Sequence, residues 1–206
     1  MRRTVYLQTY GWLLVAVGIV GLTGWRMLSQ SGDGAAHAAL PMLRAAPMFQ
    51  LTDQHGRPVS RDALEGRVWV ADFIFTSCPG QCLLMTDQFR ALQRAFKQAS
   101  LAFVSFSVDP GHDTPEVLAA YAQRHGGDPR WRLLTGSRDA IYQLCRDGFG
   151  LAADDAGAGA DQPITHSVRL ILVDPRGQIR GTYDATDGTA MARLRRDLRR
   201  LLARGA

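Results

Sequence analysis

Residues 68–75, Val-Trp-Val-Ala-Asp-Phe-Ile-Phe, are rich in β-branched and aromatic side chains. Such a run predicts a strand buried on both faces; Asp72 inside it is a local conflict. Residues 101–108 predict a second strand of the same kind. Between them, residues 82–97 carry Leu84, Phe89, Leu92 and Phe96 among the apolar positions of a helix. Thr114 and Pro115 read as the N-cap and first position of another helix, running to about His125. A short strand near 132–134 leads to a helix from Ser137 to about Cys145. Two hairpins are expected. One joins Phe49–Thr52 to 57–59 through Asp53-Gln54-His55-Gly56, and the other joins 168–173 to 178–183 through Asp174-Pro175-Arg176-Gly177. Residues 150–163 form a Gly/Ala/Asp loop. Residues 189–202 close the chain as an amphipathic helix with Met191, Leu194, Leu198, Leu201 and Leu202 on one face. Alternation of strands with helices predicts an α/β domain, a central mixed sheet covered by helices.

Residues 4–25 hold no charged side chain. As a helix, this stretch reaches about 33 Å, enough for a hydrocarbon core of about 30 Å. Tyr6, Tyr10 and Trp12 lie toward one end and Trp25 at the other, as interface aromatics do. Arg2 and Arg3 precede the run and Arg26 follows it, which favours a cytoplasmic N-terminus and exports the remainder. A cleaved signal peptide ending at Ala36-His37-Ala38 is the competing reading; it exports the domain as well. The division expected is an anchor over 1–28, a flexible tether over 29–47 and a folded domain over 48–206. His37 falls in the tether as a solvated residue.

Charge narrows the function. Six arginines against Asp197 give residues 193–204 the same +5 as the whole chain, and Arg2, Arg3 and Arg26 leave residues 27–192 at −3. Basic charge is not spread over a reading surface, which excludes a nucleic-acid partner.

The three cysteines are Cys78, Cys82 and Cys145. In an exported chain, thiols are oxidised or metal-bound more often than idle. Cys78-Pro79-Gly80-Gln81-Cys82 falls where a buried strand ends and a helix begins. There, free backbone N–H groups and the helix terminus stabilise thiolate and lower the thiol pKa. Four-residue spacing puts both side chains on one face of a helical turn. The pair can close a disulfide or hold one metal ion, thiolates suiting copper(I) and an added imidazole suiting copper(II) or zinc. His166, at the end of the small-residue loop, is the best third ligand, with a structural loop residue as the alternative. His55, His112 and His125 read as surface residues, and Cys145 as a buried small residue on an apolar helix face.

The chain resembles the Sco family, SenC-type copper-binding proteins that serve cytochrome c oxidase assembly. The resemblance lies in Phe73-Ile74-Phe75-Thr76 leading into Cys-Pro-x-x-Cys and in Ser107-Val108-Asp109-Pro110 followed by Asp113-Thr114-Pro115-Glu116. It also lies in His166 before a strand that ends in Asp174-Pro175-x-Gly177. It implies a thioredoxin-like fold behind a single transmembrane helix, and copper(I) or copper(II) held by Cys78, Cys82 and His166. Asp109 would support the site from outside the ligand set. It further implies a metallochaperone serving oxidase subunit II, with a second copper chaperone or a thiol reductant as further partners. The place implied is the inner (cytoplasmic) membrane, with the soluble domain periplasmic. Two positions depart from the family pattern: Gly80 stands where Asp is usual, and Leu83 where Pro is common.

Cys78 and Cys82 would also be the reactive residues of a thiol–disulfide oxidoreductase. A peroxiredoxin-like thiol peroxidase fits less well. Its motif wants Pro four residues before Thr and Cys three after, whereas position 72 is Asp and Cys78 follows Thr76 by two. A purely structural Cys78–Cys82 disulfide would close too short a loop to contribute much entropy.

Overall fold

The structure, a computed structural model, describes residues 40–149 and 168–204, apart from Pro79 and Ala99. The region read as a membrane anchor, most of the tether and His166 lie outside the described residues. Among the described residues no helix is long and apolar enough to cross a membrane.

Twelve elements follow in chain order. They are β1 (Arg44–Ala45), β2 (Gln50–Asp53), β3 (Pro58–Ser60), β4 (Val68–Ile74), α1 (Gln81–Ala95), β5 (Leu101–Ser107), α2 (Pro115–Arg124), β6 (Trp131–Thr135), α3 (Arg138–Gln143), β7 (Arg169–Val173), β8 (Gln178–Asp184) and α4 (Gly188–Arg204). The strands form one sheet in the order β1-β8-β7-β4-β5-β6-β2-β3. β4, β5 and β6 run parallel, joined by α1 and α2 as crossovers, and the remaining pairings are antiparallel. The expected mixed sheet is thus present.

β4 is buried at all seven positions, as its composition requires. Alternate residues serve opposite faces. Trp69, Ala71 and Phe73 join Phe106, Leu144 and Phe149 in one core cluster. Phe73 stacks on Phe106 at 5.2 Å between centroids and meets Phe149 edge-on at 5.3 Å. In a second aromatic group, Phe89 of α1 packs on Phe103 and Trp131, and Tyr121 of α2 on Trp131.

Both hairpins turn by the same device. Asp53 Oδ1 accepts the N–H groups of His55 and Arg57, each at 2.9 Å, and Asp174 Oδ1 those of Arg176 and Gln178, again at 2.9 Å. The fourth residue of each turn is a glycine at positive φ, Gly56 at 74° and Gly177 at 72°, where a β-carbon would be strained.

Three elements differ from expectation. β1 lies in the stretch read as tether; it pairs with β8, and Ala46 beside it is buried, so sheet structure begins before Met48. Two residues of edge pairing have no periodicity that a sequence could reveal. A 3₁₀ turn over Arg61–Leu64 was not foreseen; it buries Leu64. The helix expected from Ser137 to Cys145 is α only to Gln143 and continues as a π turn over Leu144–Gly148. That wider turn is closed by Phe149 N–H to Leu144 O at 2.9 Å, and Phe149 joins the core rings.

Candidate metal centre

At the end of β4 the chain folds into a turn closed by Cys78 N–H to Phe75 O at 3.2 Å. Gly80 caps α1, its carbonyl accepting Leu83 N–H at 3.0 Å and Leu84 N–H at 3.3 Å. Cys78 therefore precedes the helix and Cys82 is its second residue. The two sulfurs meet without sharing a helical face: Cys82 N–H donates to Cys78 Sγ at 3.4 Å, so the sulfur stands in for a capping oxygen. Cys78 is 7% exposed and Cys82 2%, and Cys78, Cys82 and Cys145 carry free thiols.

The expectation that both thiols of the pair acidify is corrected. For Cys78, burial raises the pKa. The Cys82 thiol and the backbone N–H groups of Gly80, Cys82 and Gln81 outweigh burial and set it below the ordinary value. For Cys82, burial is again the largest influence, and the hydrogen bond it gives to Cys78 adds to it. Its pKa is raised far out of the working range. Only one thiolate fits in front of the helix, and Cys78 takes it. Cys145, raised to about 12 by burial, is silent. In the reduced full-length chain, iodoacetamide should therefore label one thiol with a midpoint below the ordinary cysteine value. Cys82→Ser should keep that midpoint low through its O–H, whereas Cys82→Ala should move it upward. Equal midpoints in the two variants would show that the Cys82 hydrogen bond does not set it.

Beneath this turn lies Asp72, 1% exposed, paired across the sheet with Ser105. Burial pushes its carboxyl up to about 7 despite a hydrogen bond from Ser105. Oδ1 has no hydrogen-bond partner among the described residues. The conflict seen in sequence is a real one, and its charge is among the influences that raise the thiol of Cys82.

Asp113 is the group that holds the turn to the sheet. Its side chain is 0% exposed and collects donors from the turn after β4 and from the last residue of β5. Thr76 gives its N–H at 3.1 Å to Oδ2 and its hydroxyl at 2.5 Å to Oδ1, and Ser107 gives its hydroxyl at 2.6 Å to Oδ2. Sequence reading saw Asp113 only as part of a motif; an acid four residues beyond Asp109 and just before a helix cap gives no sign that it reaches back to Thr76. Asp109 itself sits where the β5 loop turns, its N–H on Ser107 Oγ at 3.1 Å. With Ser77, Pro110 and Arg138 it lines an open cleft of about 600 Å³ beside the cysteine turn.

Among the described residues no three His, Cys, Asp or Glu side chains are placed to hold a metal ion. The structure brings Cys78 and Cys82 together and puts Asp109 on the neighbouring cleft; His166 lies outside the described residues.

A profile of the SCO1/SenC family matches residues 38–203. The chain belongs to the SCO1/SenC family. The SCO1 protein homolog of Bacillus subtilis is 34% identical over 176 residues, covering 83% of this chain and 90% of its own. A protein of Stutzerimonas stutzeri named for copper binding is 33% identical over 156 residues, covering 72% and 74%. A solved structure of BsSco, described as a member of the Sco family of cytochrome c oxidase assembly proteins and as having a disulfide switch, aligns with TM-score 0.64 at 30% identity. It covers 78% of this chain and 95% of its own. The sheet and helices of this SCO1/SenC chain are thus thioredoxin-like. The departure at Gly80 is not forced by space: a β-carbon there would meet nothing within 4 Å. At position 83, Pro would forfeit the bond from Leu83 N–H to Gly80.

Proposed function

We propose that this chain is a membrane-anchored copper metallochaperone. Copper(I) or copper(II) is its cargo, held by Cys78, Cys82 and His166 and passed to the binuclear copper site of cytochrome c oxidase subunit II. The observation that carries this reading is the cysteine pair itself. It consists of two free thiols at the mouth of a helix, one of them acidified, on a turn fixed to the sheet by Asp113. Soft sulfur ligands suit copper(I), an imidazole extends the set to copper(II), and a site on a turn can exchange ligands stepwise. Names of relatives that mention copper and oxidase assembly support the same reading.

The N-terminal run anchors the domain to the inner membrane on its periplasmic side. Donor and acceptor then share one surface, which raises their effective concentration without demanding tight affinity.

The split between the thiols favours a second activity at the same residues, reduction of the acceptor's cysteines before loading. Cys78 thiolate attacks one sulfur of the acceptor disulfide and the other leaves as thiolate. Cys82 then gives up its proton and attacks Cys78 Sγ, releasing the second acceptor thiolate. Two electrons pass to the acceptor and the chain is left as the Cys78–Cys82 disulfide, which a thiol reductant must reopen.

Copper titration of the purified full-length chain tests the proposal. One copper(II) per chain should bind with a thiolate-to-copper charge-transfer band, and His166→Ala should weaken binding at least about tenfold, or about 1.4 kcal/mol. Wild-type copper(II) binding by His166→Ala, together with catalytic consumption of peroxide, would establish a thiol peroxidase instead.

A further inference from the structure

The imidazole of His112 stands on the Asp113 network, on the side of the cysteine turn. Its Nδ1 lies 3.1 Å from Asp113 Oδ1 and 3.4 Å from Thr76 Oγ1. Thr76 is two residues ahead of Cys78, inside the same turn. Asp113 is wholly buried while the His112 side chain is 57% exposed, so the carboxylate grips the ring from below and its outer part faces water. Because a carboxylate oxygen accepts, the neutral tautomer that fits this contact donates through Nδ1 and keeps its lone pair on Nε2. Nε2 has no hydrogen-bond partner among the described residues. A free surface histidine has neither tautomer nor orientation fixed. A histidine oriented through one nitrogen by a carboxylate is the arrangement that presents the other nitrogen to a metal.

We propose that His112 Nε2 is the first contact for copper entering or leaving the dithiol, a transient ligand rather than a member of the resting set. The inference rests on the copper reading above. Its physical basis is a mismatch of access. Cys78 and Cys82 are almost closed to solvent, so an ion still carrying water or a donor's ligands meets an exposed nitrogen more readily than either sulfur. Imidazole suits copper(II), and thiolate then draws the ion inward by ligand exchange. No electron changes hands in this step; one copper–nitrogen bond forms and then gives way to copper–sulfur bonds, and the Cys82 thiol releases its proton to water as its sulfur binds.

Rapid mixing of the reduced full-length chain with copper(II) sulfate tests it, with growth of the thiolate-to-copper band as the signal. His112→Gln should slow that growth about tenfold, the scale on which oriented metal ligands act, while final amplitude and melting temperature stay at wild-type values. His55→Gln and His125→Gln should leave the rate unchanged. An unchanged rate in His112→Gln overturns the proposal, as does a loss of amplitude that tracks a lower melting temperature, which marks a structural role. A second arm uses Cys78→Ser/Cys82→Ser/His166→Ala, which cannot form the band and lacks the imidazole of the resting set. Copper(II) added to this variant should show imidazole nitrogen coupling in its paramagnetic resonance spectrum that disappears when His112→Gln is added. Persistence of that coupling overturns the proposal. If the wild type forms no band while this arm gives its His112-dependent signal, the dithiol copper reading fails and the imidazole contact survives.

Discussion

Asp72→Asn is expected to stabilise the folded chain by about 3 kcal/mol at pH 8 and to destabilise it by about 1 kcal/mol at pH 4, where the native carboxyl is protonated and only the cost of the amide remains. The sign follows from the direction of the shift. Burial raises the folded carboxyl from the ordinary 3.8 to about 7. The folded state therefore holds a proton that the unfolded state has released, and stability is lost as pH climbs through the interval to about 7. At 1.36 kcal/mol per pH unit, the full interval amounts to roughly 4 kcal/mol. Part of that is discounted because asparagine must itself place an amide where Oδ1 already lacks a partner. Urea unfolding at pH 4, 6 and 8 measures it. The stability of the variant relative to wild type should rise steadily over this range, and a gap that is the same at all three values would show that the carboxyl does not titrate between them. Because the Asp72 charge helps raise the Cys82 thiol, the same variant should also lower the pH at which Cys82 ionises.

Much of the fold was legible because it is written in periodicity. The seven residues of β4, the helix spacing of α1, the Thr114-Pro115 start of α2 and the apolar stripe of α4 all announce themselves. What escaped has no period. β1 is held by edge hydrogen bonds that any two residues can make, and the π turn after α3 answers to the packing of Phe149 rather than to its own sequence. In the centre, the cysteine pair was visible from residue type and place in the chain. Its internal inequality was not, since it depends on which sulfur receives the N–H groups and which is sealed beneath. Asp72 could be recognised as out of place in an apolar strand. Asp113 could not, because its partners Thr76 and Ser107 are brought to it only by the parallel pairing of β4 with β5.

Asp113, in the loop before α2, and Asp72, inside β4, are equally buried acids, yet their replacement should have opposite effects. Asp113→Ala is expected to destabilise the chain by about 3 kcal/mol or more, since each buried donor that loses its acceptor costs about 1–3 kcal/mol. It would leave the Thr76 N–H and hydroxyl and the Ser107 hydroxyl without their acceptor, the last of them fully buried. Asp113→Asn keeps one acceptor oxygen but turns an amide toward donors, so it should recover only part of the loss. Urea midpoints at pH 7 rank the three proteins, and a loss under about 1 kcal/mol in Asp113→Ala would show that water replaces the carboxylate freely. The reactive thiol supplies a second readout. Cys78 keeps its low pKa through N–H groups aimed by the turn that Thr76 anchors, so both variants should raise its alkylation midpoint. Asp72→Asn leaves that anchor in place. The distinguishing variable between the two acids is the number of donors that reach each one, since burial and residue type are shared. An acid with donors on both oxygens binds two segments together, whereas an acid with one empty oxygen weakens the strand that carries it.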